Sequence, residues 1–294
     1  MRVLITGGSG ALAKVLAPYL HQRGCEITLL DFQQVNSDFP LKIVDIRNIE
    51  SLKGIMKNQD IVVHAAALHG VHIGHYSEEN FLDVNVIGTY NILKTAAEAG
   101  VKRVIHMSST SVYGISRRNF LEKSIWVNEK TPLNPLDIND LCKMQSEFIC
   151  EYFRKNYNLD CITLRLGRFF KEDPIEFNFK KLYGGVDALD VAHAIHKTIF
   201  AKDLINHTFC ISSKVPFNKG DCEELIRQAD LVIERYYPGV TNLFATLGRK
   251  IPKSIHRIVD IQRAEEELDY SPVYNFDLFL QQFNQKSCER KVHI

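Results

Sequence analysis

The chain has 294 residues, of which 45% are hydrophobic and 24% charged; that composition excludes a disordered or fibrous protein and gives room for one large α/β unit, or for a nucleotide domain with a smaller lobe. Its 36 basic and 35 acidic residues nearly cancel, which argues against a nucleic-acid backbone or an anionic membrane surface as partner and leaves a small molecule as the expected ligand.

From the N-terminus, short apolar runs alternate with amphipathic stretches, the pattern of βαβ units around a parallel sheet. Strands are expected over 2–6, 26–31, 41–44, 60–64, 103–107 and 160–164, and helices over 11–22, 49–57, 77–99 and 138–156. All six are short and apolar, as strands buried on both faces should be. Beyond Arg165 the pattern is less regular, with helix-like runs at 187–200, 221–236 and 261–268 between Gly, Pro and polar clusters. The expected organisation is a nucleotide domain over 1–165, a substrate lobe with some return to the sheet over 166–284, and a polar tail over 285–294. The seven scattered cysteines lack Cys-x-x-Cys spacing and read as reduced core thiols. Met1-Arg2 runs directly into a strand without the pattern of a signal peptide, and no apolar run approaches a membrane span, so a cytoplasmic location is expected.

The first strand ends in Thr6-Gly7-Gly8-Ser9-Gly10-Ala11-Leu12-Ala13. Such a turn brings backbone close to a pyrophosphate and aims the free N–H groups of a helix N-terminus at it. Gly7 and Gly10 meet that need, and Ala13 stands where a third glycine is usual. Asp31 closes the second strand, where a carboxylate accepts hydrogen bonds from ribose hydroxyls; Phe32 follows rather than an arginine, so NAD is expected over NADP.

These residues, with further blocks downstream, resemble the extended short-chain dehydrogenase/reductases, the group of nucleotide-sugar epimerases, dehydratases and some sugar dehydrogenases. Asp45-Ile46 resembles the family's adenine-contacting strand end, and Ala65-Ala66-Ala67 the segment beneath the cofactor. Asn85 is similar to its helix asparagine, and His106 through Gly114 to its active-site strand, which includes Met107. Val186 through Ala192, and Arg263 through Pro272, resemble its C-terminal blocks. The resemblance implies a Rossmann-type doubly wound sheet with a small C-terminal substrate lobe, NAD held by Gly7, Ser9, Gly10, Ala11, Leu12, Asp31, Asp45, Ile46, Ala65, Ala66, Ala67, Asn85, Met107 and Lys143, and a homodimer formed through helices 77–99 and 138–156.

The resemblance also assigns Ser109 as the family's active-site serine and Lys143 as its lysine, and it places Asn139 where the family keeps a tyrosine. A phenol beside a lysine loses its proton near neutral pH, whereas an amide does not titrate there. If the chain is an enzyme, another group must take the proton. His69, on the His69/His72/His75 loop, and Tyr113 are the substitutes at hand; the same three histidines are also a conceivable metal set, though no metal is expected. Asn139 is expected to point toward Ser109, with His69 in the same cleft. After the sixth strand the chain reads Arg165-Leu166-Gly167-Arg168-Phe169-Phe170-Lys171 and reaches the Asp-Val-Ala block early. This shortened pocket resembles that of hexuronate dehydrogenases, and either Arg165 or Arg168 could grip an anionic group or join an ordinary ion pair. The expected activity is an NAD-dependent oxidoreductase or epimerase acting on a small sugar, polyol or sugar-acid-like alcohol; the rival is an NAD-binding protein without turnover, in a structural or sensing role.

Overall fold

A computed structural model describes residues 1–114, 122–169 and 173–283; the expected polar tail and the Phe170-Lys171 pair lie outside them. The expected strands form as β1 (Arg2–Thr6), β2 (Glu26–Asp31), β3 (Leu41–Ile43), β4 (Ile61–His64), β5 (Arg103–Ser109) and β7 (Asp160–Leu166), joined by β8 (Thr208–Ile211). All pair in parallel in the order β3-β2-β1-β4-β5-β7-β8. Strand order reverses between β1 and β4, and in a doubly wound sheet that reversal opens a crevice at the carboxyl ends of the two strands.

The helices expected over the first half are α1 (Ala11–His21), α2 (Ile49–Met56), a long interrupted helix from Glu78 to Ala99, and α5 (Ile138–Tyr157). On one face of the sheet α1, α7 (Ala188–Phe200) and α10 (Gln262–Leu268) bury Leu16, Leu20, Val191, Ile195 and Leu268. On the other, α2, α4 (Gly88–Ala99) and α5 bury Leu52, Met56, Ile92, Leu93 and Phe153. Gly88 opens α4 because the helix crosses the segment after β3 very closely: a Cβ there would stand 2.5 Å from Ile46 Cδ1.

The interrupted helix has a physical cause. Between α3 (Glu78–Phe81) and α4, residues Leu82–Ile87 wind as a π-segment, a local widening that frees backbone groups and is frequent at functional sites. Here the Asn85 carbonyl accepts from Ser146 Oγ on α5 at 2.8 Å and from Thr89 Oγ1 at 2.5 Å.

A second layer departs from what the sequence pattern suggested. The three-residue strands β6 (Ile125–Val127) and β9 (Arg257–Val259) pair in parallel outside the large sheet, and α6 (Pro174–Lys180) and α9 (Val240–Thr246) complete the lobe with α8 (Cys222–Tyr236). Phe179, Phe217, Phe244, Ile258 and Phe276 form its core. Cys25, Cys142, Cys150, Cys161, Cys210 and Cys222 are buried and free. No helix among the described residues is long and apolar enough to cross a membrane.

Two histidines lie within the sheet. His64 is bracketed by Thr6 Oγ1 at 2.8 Å and Thr89 Oγ1 at 3.0 Å, whereas neither ring nitrogen of His106 has a partner among the described residues. Burial, reinforced by the Lys143 ammonium, pushes His64 down to about 3 and His106 well below its ordinary value. Both pKa values are depressed in the fold, so protons prefer the unfolded chain; stability is intact above the unfolded value near 6.5 and is lost as pH falls from there. The loss is expected to approach about 1.4 kcal/mol per pH unit for each histidine. Urea unfolding between pH 7.5 and 5.5 should show this, and His106→Leu should remove about one proton from the slope without lowering stability at pH 7.5; an unchanged slope would show that His106 is not buried neutral.

Candidate active site

A cavity of about 430 Å³ occupies the crevice at the ends of β1 and β4. Gly7, Ser9, Gly10, Asp31, Asp45, Ile46, Ala65, Ala66 and Ala67 line it, as does His69. Gly7 has φ +75°, and a Cβ on it would stand 2.9 Å from the Ala66 nitrogen; only glycine lets the turn pass beneath the 65–67 segment. Gly10 N donates to Gly7 O at 2.9 Å, and α1 starts at Ala11, so the N–H groups of Ala11 and Leu12 belong to the open first turn. Leu12 itself is buried against the sheet.

Asp31 is buried at the cavity wall, its Oδ2 accepting from Ser9 N at 2.9 Å and its Oδ1 from Gln33 N at 3.0 Å. Those bonds orient the carboxylate and leave lone pairs for ribose hydroxyls. Asp45 is taken up by Arg47, which bonds both of its carboxylate oxygens, the closest contact being 2.6 Å, and holds that carboxyl below its usual range. A dinucleotide therefore fits the residues present: a close-approach glycine turn, an open helix start and an oriented acid on the neighbouring strand.

Of the residues expected at the cofactor, Ala11, Leu12, Asn85, Met107 and Lys143 are not among those lining this cavity, nor are Ser109 and Asn139. Asn85 clamps the loop after β4, accepting from Leu68 N at 2.7 Å and donating to Leu68 O at 2.9 Å. Lys143 donates from Nζ to Met107 O at 2.7 Å, and burial pushes it down to about 8. Thr6, not singled out from the sequence, ties the crevice together: its Oγ1 accepts from Ala65 N at 3.2 Å and Ala66 N at 3.1 Å. Its signal was its place at the end of β1, beside the glycine turn.

Ser109 ends β5, its Oγ accepting from Ser111 N at 3.0 Å. Asn139 lies in the first turn of α5, which Asp137 caps by accepting from Asp140 N at 2.8 Å. The asparagine is buried rather than facing solvent, and no hydrogen bond joins it to Ser109 among the described residues. Its Nδ2 leans on Asp140 Oδ1 at 3.4 Å, and its Oδ1 has no partner. An orphaned buried acceptor at this point suits a hydroxyl donor.

The other candidates sort clearly. Tyr113 is fully buried, with its hydroxyl 2.8 Å from Arg165 Nη1 and 3.2 Å from Cys210 Sγ, and burial raises its pKa; it belongs to the core. Arg165 forms a buried fork with Glu147, with its Nη2 2.7 Å from Oε2, so it is not available to a ligand anion. Arg168 is exposed beyond the end of β7. His69 reaches the cavity, but burial, Lys143 and His72 push its imidazole down to about 3, which makes it a weak proton acceptor at neutral pH. His72 Nδ1 is occupied by the His69 N–H at 2.9 Å, and the histidines of this loop do not converge as a metal set among the described residues.

The chain is similar to several known proteins. The chain is 24% identical to a uronate dehydrogenase of Pseudomonas syringae over 70% of its own length and 72% of that protein's. A solved short-chain dehydrogenase/reductase superfamily protein from Agrobacterium tumefaciens with bound NAD shares the fold at TM-score 0.72 and 16% identity, covering 100% of this chain and 99% of that one. UDP-glucuronic acid 4-epimerase from Bacillus cereus, in complex with UDP-glucuronic acid and NAD, superposes at TM-score 0.68 and 19% identity over 94% and 95% of the two chains. Residues 3–182 match the model of the NAD dependent epimerase/dehydratase family, and the chain belongs to that family.

Proposed function

We propose that the chain is an NAD-dependent oxidoreductase or epimerase acting on a small sugar, polyol or sugar-acid-like alcohol. The observation that carries this reading is the buried, unpartnered Oδ1 of Asn139, in a fold whose crevice is built for a dinucleotide. The cofactor is NAD, and when bound it supplies the hydride acceptor. Ser109 and Asn139 hold the reacting hydroxyl, one by its Oγ and the other by its amide oxygen. Lys143 holds the nicotinamide ribose and, with its pKa drawn to about 8, changes charge close to neutrality. It therefore takes the place of the phenol as proton acceptor, where His69, held neutral, does not. The likeness to a uronate dehydrogenase supports the choice of a free sugar or sugar acid over a larger substrate. Reading the chain as a non-catalytic NAD-binding protein draws support from the same Asn139, because an amide exchanges no proton at pH 7. The substrate lobe over 166–284 and the nucleotide domain over 1–165 are the functional division this reading uses.

The dimer expected from the resemblance has a matching surface. Leu141, Phe148 and Tyr152 are exposed on α5, and Leu82, Ile87 and Tyr90 on the adjoining helix; an apolar patch of this kind marks an association site.

Three results are expected. In NAD-reduction assays over a panel of sugars and polyols, Ser109→Ala should lower kcat by about 100-fold, and the rate should rise with pH through about 8, where Lys143 loses its proton; activity appearing only after Asn139→Tyr would favour the non-catalytic reading. Titration with the two cofactors should favour NAD(H) over NADP(H), because Asp31 repels a 2′-phosphate, and Asp31→Ala should narrow the difference. Phe148→Glu should convert a dimer to a monomer in sedimentation at micromolar concentration, and a monomeric parent chain would remove the assembly from the proposal.

A further inference from the structure

The arginines packed into the interior around the sheet have carboxylate partners: Arg103 with Asp160 at 2.7 Å and Arg165 with Glu147 at 2.7 Å. Arg257, on β9 of the lobe, has none among the described residues. Among the described residues its one hydrogen bond runs from Nη1 to Thr110 O at 2.9 Å, which places the guanidinium next to Ser109 at the carboxyl end of β5. The backbone of Gly184 passes along its other side, where an added Cβ would lie 3.6 Å from Nε and 3.8 Å from Nη2. Gly184 in turn packs on Gly167, just beyond β7, so closely that a Cβ on Gly167 would stand 2.5 Å from Gly184 O. Arg257 thus reaches from the lobe to the carboxyl ends of β5 and β7, the side of a doubly wound sheet where ligands bind.

Nε and Nη2 have no protein acceptor among the described residues, and the residue is half-buried. Enclosure draws the arginine below its ordinary pKa, opposed by Tyr183 and Asp140; the side chain keeps its charge at neutral pH all the same. A guanidinium in this situation calls for an anion. Its free Nε/Nη2 edge is a planar two-donor fork that matches a carboxylate. One positive charge balances a carboxylate, whereas a phosphate dianion would keep a net negative charge.

We infer that Arg257 is the substrate-anion anchor of this site, gripping the carboxylate of a sugar acid whose hydroxyl lies on Ser109. This deepens the proposed function and rests on the same cleft serving a small alcohol.

The test uses the NAD-loaded chain as wild type, Arg257→Met and Arg257→Lys, with D-glucuronate, D-galacturonate, glucose 6-phosphate, glucose and glucitol as probes. Binding is read by ligand-induced melting shift and calorimetry, and NADH formation is scored separately. A uronate should bind the wild type more tightly than glucose or glucose 6-phosphate does. Its Kd should rise about thirtyfold or more in Arg257→Met and recover in part in Arg257→Lys, with NAD affinity unchanged in both. Uronate binding that depends on Arg257 without any NADH formation keeps this inference and overturns the oxidoreductase reading. Turnover of a neutral alcohol indifferent to residue 257 keeps that reading and overturns this one. No uronate binding, equal or tighter binding of the phosphate, or a uronate Kd unchanged in Arg257→Met likewise overturns it. If Arg257→Met no longer binds NAD, Arg257→Lys decides: uronate affinity equal to wild type would count against a fork-specific grip, and weakened affinity would support it.

Discussion

The geometry of the candidate site depends on one buried ion pair, Glu147 with Arg165. The carboxylate on α5 receives the arginine fork from β7 and, at Oε1, the hydroxyl of Ser108 from β5 at 2.5 Å. It thereby joins one helix to two adjacent strands. Arg165 continues the chain of contacts to Tyr113 and so to Cys210 on β8. With both partners buried, losing either would strand a charge in the interior at a cost of about 3–5 kcal/mol. The pair itself contributes placement more than net stability. Lys143 lies one turn earlier on the same helix and Asn139 one turn before that, so the clamp at Glu147 decides where both side chains stand relative to β5.

The cofactor side is fixed by smaller bonds acting in series. Thr6 holds the backbone of Ala65 and Ala66, Asn85 holds Leu68, and the π-segment that carries Asn85 bonds through its carbonyl to Ser146 on α5. The glycine turn, the loop after β4 and the helix bearing Lys143 are therefore one connected unit. A displacement of α5 would be felt in the loop that closes the crevice. Preorganisation of this kind lets binding residues meet a ligand without first being ordered.

How much of this could be read beforehand follows from the range of each signal. Strands β1, β2, β4, β5 and β7 announce themselves because burial on both faces demands continuous apolar runs, and the Gly7–Gly10 turn does so because close backbone approach tolerates few residues. In the lobe only the 221–236 run, which forms α8, was legible, and the rest was not for the opposite reason. β6 and β9 are three residues each and far apart in the chain, too short for periodicity to distinguish from a loop, and α6 and α9 are two-turn helices among polar residues. Arg165 illustrates a different failure: a strand arginine can serve a ligand or a neighbour, and only the fold reveals Glu147 on the facing helix. Arg257 is the converse, an ordinary basic residue in Lys253-Ser254-Ile255-His256-Arg257 whose interest lies in the partner it lacks.

Charge around the candidate site is unevenly compensated. Glu147 neutralises Arg165, Asp160 neutralises Arg103, and the histidines His64, His69 and His106 are held uncharged by burial. What remains near the carboxyl end of β5 is Lys143, satisfied by a carbonyl, and Arg257, likewise bonded to a carbonyl. Carbonyl oxygens orient a cation without cancelling its charge. Asp140 acts on Arg257 and Glu147 on Lys143 as more distant counter-charges, so each cation is tempered rather than neutralised. In the proposed reading the charge left over favours a substrate that brings its own negative charge. In the proposed reading the two residues divide the work: Arg257 stays charged and holds the substrate, whereas Lys143, drawn to about 8, serves in its neutral form as the base in place of a phenol, with Asn139 left to orient the hydroxyl.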